Sequence, residues 1–301
     1  MVKQEKFDVI IIGGSYSGLA AGMALGRSLR QVLILDSGQP CNRQTPHSHN
    51  FLTQDGKSPM EISTLARQQV NAYSTVRQHD AFVINAQQVR DEFVITTATE
   101  IFRAKKLILA TGIKDILPAI DGFSECWGIT VLHCPYCHGY EIRHQNTGVL
   151  GNGDKGYEFV SLISNWTTKL TLFTNGVSTL SAEQQSKLSQ KSISIIQTEI
   201  EKLEHINGHL QRIHFKDGSS MEIQAIYAPR PFEQHSNLAS ILGCEITDDG
   251  YIKTDLMQKT TVPGIYACGD NVTRNRTVAN AVATGTTAGM MLNKEMTVEE
   301  F

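Results

Sequence analysis

Phe7-Asp8-Val9-Ile10-Ile11-Ile12-Gly13-Gly14 is an apolar run closed by a glycine turn. A run without polar alternation predicts a strand covered on both faces, as in a parallel sheet. Ser15-Tyr16-Ser17-Gly18 then leads into a helix expected from Leu19 to Leu29, and Gln31-Val32-Leu33-Ile34-Leu35-Asp36 reads as a second strand. Together these segments form a βαβ unit. In its turn, Gly13 makes the tight bend and Gly18 lets helix and strand approach. The amides between them, from Gly14 through Ser15 and Ser17, point at a pyrophosphate favoured by the helix N-terminus. Ser15 occupies the middle glycine position, where its side chain narrows the approach. Asp36, at the end of the second strand, is placed to accept hydrogen bonds from an adenosine ribose. The plainer alternative is a glycine turn and a solvated acid with no ligand.

The pattern returns. Asn146 to Leu150 reads as a strand, Gly151-Asn152-Gly153-Asp154-Lys155-Gly156 as a glycine loop, Tyr157 to Asn165 as a helix and Lys169 to Phe173 as a strand. This second loop has all three glycines, yet Phe173-Thr174-Asn175-Gly176 offers neither an acid for a ribose diol nor an arginine for a 2′-phosphate. Its phosphate cradle is present and its reader is missing. Short strands are expected at Ala81 to Ile84 and Phe93 to Thr97, followed by Lys106-Leu107-Ile108-Leu109-Ala110-Thr111-Gly112. Gly264 to Asp270 is again a strand ending in glycine, before a last helix from about Ala279 to Leu292. The chain is expected to cross between domains near Ile113 to Pro118 and Pro229 to Glu233.

At 301 residues and 41% hydrophobic content, the chain is long enough for two cores. A net charge of −3, with no block of like charge, gives no reason to expect a nucleic-acid partner. Met1 to Lys6 is polar and runs straight into the first strand, unlike a secretory signal. No apolar run approaches the roughly eighteen residues that span a bilayer. The reading is a cytoplasmic enzyme with no membrane association.

Between the two βαβ units lies Cys134-Pro135-Tyr136-Cys137-His138. Two cysteines separated by two residues can close a small disulfide, and their proximity can depress one thiol pKa. Read literally, the motif also matches c-type haem attachment, which normally needs an exported chain. His133, Cys134, Cys137 and His138 could ligate zinc, but adjacent side chains diverge and no second close pair completes a site, so no metal is expected. A thioredoxin-fold CPYC belongs near the start of a small domain, not between two nucleotide units. The remaining reading is a disulfide facing a flavin, with His138 relaying protons during thiol–disulfide interchange or merely packing. Glu141 is a weaker acid/base candidate and reads as a solvated or capping carboxylate. Cys41, Cys126, Cys244 and Cys268 read as small, mostly buried apolar side chains.

GGSYSG near the start, Ala110-Thr111-Gly112, CPYCHGYE, the second glycine loop and Ala267-Cys268-Gly269-Asp270 occur in an order that resembles the low-molecular-weight thioredoxin reductase family over nearly the whole chain. The resemblance implies an α/β fold of two Rossmann-like, three-layer ββα nucleotide-binding domains, the second inserted in the first. Residues 1–115 and 240–301 would bind FAD, and 116–239 would form an NAD(P)-like domain carrying the cysteine pair. A homodimer is also implied. By the same resemblance Cys137 is the thiol nearest the flavin and Cys134 the one that exchanges with substrate. Thr111 and Gly112 belong to the FAD site. Gly269 and Asp270 would hold the flavin's phosphate and ribityl portion, Ala279 would offer an amide to its ring, and Asn50 would make a further contact.

Three positions depart from the family's reductases. They usually carry aspartate where this chain has His138, His-Arg-Arg where it has Thr174, Asn175 and Gly176, and Arg-Gln-Ala where it has Thr277, Val278 and Ala279. The cysteine-proline-aromatic-cysteine-histidine pattern is more similar to the branch containing dithiol oxidases, and to members reduced by donors other than NADPH. The expected activity is therefore an FAD-dependent dithiol/disulfide oxidoreductase acting on a small dithiol, a small disulfide or a thioredoxin-like protein, with NAD(P)H use doubtful. The alternatives are an NADPH-dependent reductase and, in another class, a non-catalytic flavin redox sensor.

Overall fold

Val9 to Ile12 are buried on both faces, which is why the run carries no polar alternation. The computed structural model describes residues 5–301. Its first elements are β1 (Glu5–Ile12), α1 (Tyr16–Arg27), β2 (Val32–Asp36), α2 (Pro59–Asn71), β3 (Val76–Asp80), β4 (Val83–Val89), β5 (Glu92–Thr97) and β6 (Ile101–Leu109). β3, β2, β1 and β6 pair in that order, all parallel, and β5 and β4 follow antiparallel. Alternate β1 residues choose different partners. Val9 and Ile11 cluster with Leu19 and Leu25 of α1, whereas Ile10 and Ile12 cluster with Val83, Phe93 and Ile95 of the antiparallel pair. Helices, parallel sheet and antiparallel strands thus make three layers, each buried large aliphatic contributing about 1.5–3 kcal/mol.

After β7 (Ile113–Asp115) the chain builds α3 (Phe123–Cys126), β8 (Val131–Leu132), α4 (Pro135–His138), β9 (Thr147–Leu150), α5 (Gly153–Ile163), β10 (Leu170–Phe173), α6 (Ala182–Gln190) and β11 (Ser194–Ile196). It continues through β12 (Ile200–Ile206), β13 (His209–Phe215), β14 (Ser220–Glu222) and β15 (Ala225–Tyr227). β11, β10, β9, β15 and β8 form a parallel sheet in that order, and β12 to β14 form an antiparallel meander. The layering repeats. Val149 and Leu172 cluster with Val160 and Ile163 of α5, while Leu150 and Phe173 cluster with Leu203, Ile213 and Phe215 of the meander.

The last elements are β16 (Phe232–Gln234), α7 (Leu238–Ile241), β17 (Ile265–Ala267) and α8 (Val278–Glu300). β17 pairs in parallel with Leu107 to Leu109 of β6, whose earlier residues pair with β5. α8 crosses α1 so closely that a Cβ on Gly285 would lie 2.1 Å from the Ser17 carbonyl oxygen. It also runs past the expected end at Leu292. Lys106 Nζ reaches Glu295 (3.0 Å) and Glu299 (2.6 Å), tying the last turns to the sheet.

The chain divides into two compact units. One comprises the segments up to Arg43, Asn50–Lys114 and Phe232–Phe301, and the other Gln44–His49 and Asp115–Pro231. The return falls at Phe232, within the Pro229 to Glu233 crossing and ahead of residue 240, because β16 pairs with β7 and the His235 amide donates to Gly112 O (3.3 Å). One boundary differs from expectation. Gln44–His49 groups with the inserted unit, where Gln44 Nε2 donates to Ser124 O (3.3 Å) and Thr45 Oγ1 sits where a Cβ on Gly128 would be 3.1 Å away.

Candidate active site: a dithiol and two glycine loops

The first loop is built by close approaches that only glycine permits. Gly13 has φ 108°, and a Cβ there would lie 2.1 Å from Ala110 O. One on Gly18 would lie 1.8 Å from Gly13 O, and one on Gly14 2.7 Å from Asp36 Cβ. Ser15 is the N-cap of α1 and its side chain makes no cap bond, so it leaves the first-turn amides to another acceptor. Gly269, at φ 89°, lies against Ser17, and Asn271 Nδ2 donates to Leu109 O (2.9 Å) and Thr111 Oγ1 (3.3 Å). The Gly13–Gly18 turn, Thr111-Gly112 and Gly269-Asp270 therefore meet at the C-terminal ends of β1, β6 and β17.

Sequence reasoning passes over two residues here. Asn271 is fully buried, and its Oδ1 has no hydrogen-bond partner among the described residues. Arg67, from α2, pairs with Asp36 and also donates to Gly14 O (3.4 Å) and Gln78 Oε1 (3.2 Å). The expected ribose acid thus already has a counter-ion. Asp270 lies 3.7 Å from Cys41 Sγ and 3.8 Å from Arg276 Nε. Val278 and Ala279 open α8 behind Thr277, whose Oγ1 accepts from Asn280 N (3.1 Å). Asn50 has φ 59°, and its amide donates to Asp55 Oδ1 (2.7 Å). Tight glycines, an uncapped helix start and an orphaned buried amide oxygen fit the phosphates and polar chain of FAD.

In the second loop the cap side chain is bonded within the protein. Asn152, the N-cap of α5, accepts at Oδ1 from Gly153 N (2.8 Å), Thr179 N (2.9 Å) and Thr179 Oγ1 (3.2 Å). Its Nδ2 donates to Val177 O (2.8 Å), which binds the segment after β10 to the helix start. The positions where a nucleotide reader would stand are also committed. Thr174 Oγ1 donates to Gly176 O (2.7 Å), and Asn175 Oδ1 accepts from Ile200 N (2.7 Å).

Cys134 and Cys137 form a disulfide with Cα atoms 5.4 Å apart. Cys134 caps α4 at the end of β8, and Pro135 starts the helix with a φ already suited to it. Exposed Tyr136 packs edge-on against Trp166, with ring centroids 5.6 Å apart. Burial, together with nearby His49, holds the half-buried His138 down at about 4. His138 is therefore neutral at neutral pH and starts as a proton acceptor. His49 Nε2 lies 3.6 Å from Glu141 Oε1, and the His47 ring centroid is 6.4 Å from that of His49. The buried Tyr227 hydroxyl has no hydrogen-bond partner among the described residues, and burial with Glu141 pushes its phenol up.

Burial raises the Cys126 thiol to about 11 and Cys268 to about 12, and raises Cys244 as well, which leaves them as packing residues. Cys41 departs from expectation: it is exposed, because the 37–49 segment is irregular chain and not part of a core layer. Among the described residues no cluster of three His, Cys, Asp or Glu could hold a metal ion. No described helix is long and apolar enough to cross a membrane.

A three-layer dinucleotide unit with a second one inserted, and a disulfide between two half-cysteines on the insert, define a flavin-dependent disulfide oxidoreductase. The chain belongs to the pyridine nucleotide-disulphide oxidoreductase family, whose pattern matches residues 7–285. It is 33% identical over 303 residues to "Thioredoxin reductase tcpT" of Claviceps purpurea (strain 20.1), covering 96% of this chain and 94% of that protein. Among solved structures, an oxidoreductase from Agrobacterium tumefaciens is 36% identical with a TM-score of 0.91, covering 97% of this chain and 99% of that one. A putative thioredoxin reductase TrxB from Bacillus anthracis is 30% identical with a TM-score of 0.94, covering 98% and 100%. The protein is thus a thioredoxin reductase-like enzyme that uses FAD.

Proposed function

We propose that this enzyme works chiefly as a dithiol oxidase, or with an electron donor other than a nicotinamide nucleotide. The observation that supports the reading is Asn152, whose side-chain oxygen takes the first amide of α5, Gly153 N, and ties the Thr179 segment to the helix start that a nucleotide pyrophosphate would need. In the oxidase direction, one substrate thiol attacks Cys134. Its S–H bond breaks, the Cys134–Cys137 bond breaks, a substrate–Cys134 disulfide forms, and Cys137 leaves as thiolate. His138 takes the proton. The second substrate thiol then attacks the substrate sulfur of the mixed disulfide; the bond to Cys134 breaks, the substrate disulfide closes, and the second thiol's proton passes to the departing Cys134 sulfur. Bound FAD supplies a two-electron acceptor for the reduced pair, with Cys137 as the thiol that exchanges with it.

In the cofactor's unit, Gly13, Gly14, Ser15, Ser17 and Gly18 would hold the pyrophosphate, Asp36 the ribose, and Thr111, Gly112, Gly269 and Asp270 the central chain. Asn50, Val278 and Ala279 remain candidates for the flavin end. An apolar groove of about 590 Å³ between α1, α2 and α8, lined by Met23, Leu65 and Met290, suits the second copy that the family resemblance implies.

A competing reading, a reductase fed by NADPH, is favoured by the name of the Claviceps relative. Anaerobic titration of the holoenzyme with NADPH, NADH and dithiothreitol in parallel separates the two. The dithiol should bleach the flavin while micromolar nicotinamide nucleotides leave it oxidised. Rapid bleaching by NADPH would reverse the reading.

A further inference from the structure

We propose that Tyr136 and Tyr140 are substrate-binding residues that select a dithiol carried on a flat apolar ring, with Trp166 and Arg143 as positioning residues behind them. The inference rests on Cys134 and Cys137 being the exchange centre for a small dithiol, and it names the class of carbon skeleton that reaches them.

α4 turns one face inward and another out. Pro135 and Gly139, four residues apart, are buried, while Tyr136 and Tyr140, also four apart, are 61% and 67% exposed. Cys134 and Cys137 are half-buried. The Gly139 amide donates to Pro135 O (2.7 Å), which carries the helical turn to the residue before Tyr140. Tyr136 thus lies in sequence between the two sulfurs, and Tyr140 follows one turn on, about 6 Å along the axis.

Both rings are held from behind. The inward face of α4 lies on Trp166, because a Cβ on Gly139 would stand 2.7 Å from Trp166 Nε1, an approach that only glycine permits. The His144 amide donates to Trp166 O (3.0 Å), which ties the chain after α4 to the same residue. The indole then meets Tyr136 edge-to-face, with ring centroids 5.6 Å apart and planes at 86°. Arg143 places its guanidinium 3.9 Å from the centroid of Tyr140 and donates to the Tyr140 carbonyl oxygen. A ring already fixed by a neighbour loses little freedom on binding, which makes it an effective anchor.

Size decides the occupant. A fully buried tyrosine contributes about 150–250 Å², so the exposed parts of these two offer roughly 200–300 Å², well short of the ~800 Å² per partner of a stable protein interface. One ring of a small molecule matches that area and can stack on it. A linear hydroxylated dithiol has no face to stack.

The test is anaerobic flavin bleaching of the holoenzyme by ortho-xylylene dithiol and by dithiothreitol, with the ratio of their second-order rate constants as the readout. Relative to the parent, Tyr136→Ala should lower the ring-to-linear ratio about tenfold and Tyr140→Ala about threefold, whereas Tyr136→Phe should keep it. Trp166→Ala should lower the ratio about threefold, with recovery in Trp166→Phe. A merely structural role for the indole would slow both dithiols alike and leave the ratio unmoved. Ratios within twofold of the parent in both tyrosine-to-alanine variants overturn the proposal, as does Tyr136→Phe behaving like Tyr136→Ala. Slowing confined to a third reductant, a reduced thioredoxin, assigns the rings to a protein and overturns it too. Cys134→Ser separates the two levels. Loss of bleaching with both dithiols keeps the exchange centre whatever the ratios show, and bleaching that survives it removes that reading first.

Discussion

At the start of α1 the cap residue Ser15 makes no side-chain bond, whereas at the start of α5 Asn152 bonds Gly153, Val177 and Thr179. The two loops share the spacing of their outer glycines and the same strand–turn–helix setting, yet one start has no side-chain cap and at the other the cap takes the first helical amide, Gly153 N. The strand ends differ in the same sense. After β2 stands Asp36 with its Arg67 counter-ion, and after β10 stand Thr174 and Asn175, both hydrogen-bonded to backbone. A glycine pattern therefore reports the shape of a cradle. Whether a ligand enters it depends on the cap and on the next strand end.

The comparison breaks most visibly through the glycines. Gly13→Ala combines a positive φ with overlap onto Ala110 O, so strain of about 1–3 kcal/mol adds to an obstructed pyrophosphate seat. The purified variant should lack flavin absorbance, while Gly151→Ala should retain it, its Cβ meeting Gly156 Cα at 3.1 Å. Equal flavin loss in both would mean that the loops are not functionally distinct. A smaller effect is expected at Asp36→Asn. FAD affinity of the apoprotein, followed by flavin fluorescence, should fall about tenfold, or about 1.4 kcal/mol. Unchanged affinity would assign Asp36 to Arg67 alone. Smallest is Asn152→Ala, which removes a cap worth about 1 kcal/mol and should speed hydrogen exchange at the Gly153 and Thr179 amides about fivefold. NADPH should still leave its flavin oxidised, and acquired bleaching would show that the cap was the only barrier.

Both βαβ units were legible because apolar runs and glycine turns are local signals, and the same holds for Cys134 and Cys137. Other features depend on distant partners. α8 continues to Glu300 because Lys106 and Arg30 pair with its acidic last turns, something no local pattern contains. The β12–β14 meander hides behind polar outward residues and register shifts near Lys202 and His205. α2 did carry a readable signal, the reciprocal capping box of Ser58 and Glu61, which the sequence reading does not use. At the site, Arg67 and His49 come from segments far in sequence from the residues they meet, so spacing gave no hint of them, whereas Asn271 directly follows Gly269-Asp270 and only its burial against Leu109 and Thr111 marks it out. Asn152 was visible as part of a glycine loop, but its bonds to Val177 and Thr179 exist only once β10 has folded back.

The shared edge of β6 also sets an order of assembly. Leu107 to Leu109 wait for Ile265 to Ala267, which leave the ribosome only after the whole inserted unit has been made. The insert can complete its parallel sheet from its own contiguous chain, so it is expected to fold while the first unit still lacks a strand and its last helix. Until β17 and α8 arrive, β6 exposes an unpaired edge and Ser17 lacks Gly269 and Gly285 beside it. Flavin capture is therefore a late event in the life of the nascent chain, coming after the cysteine pair is already in place.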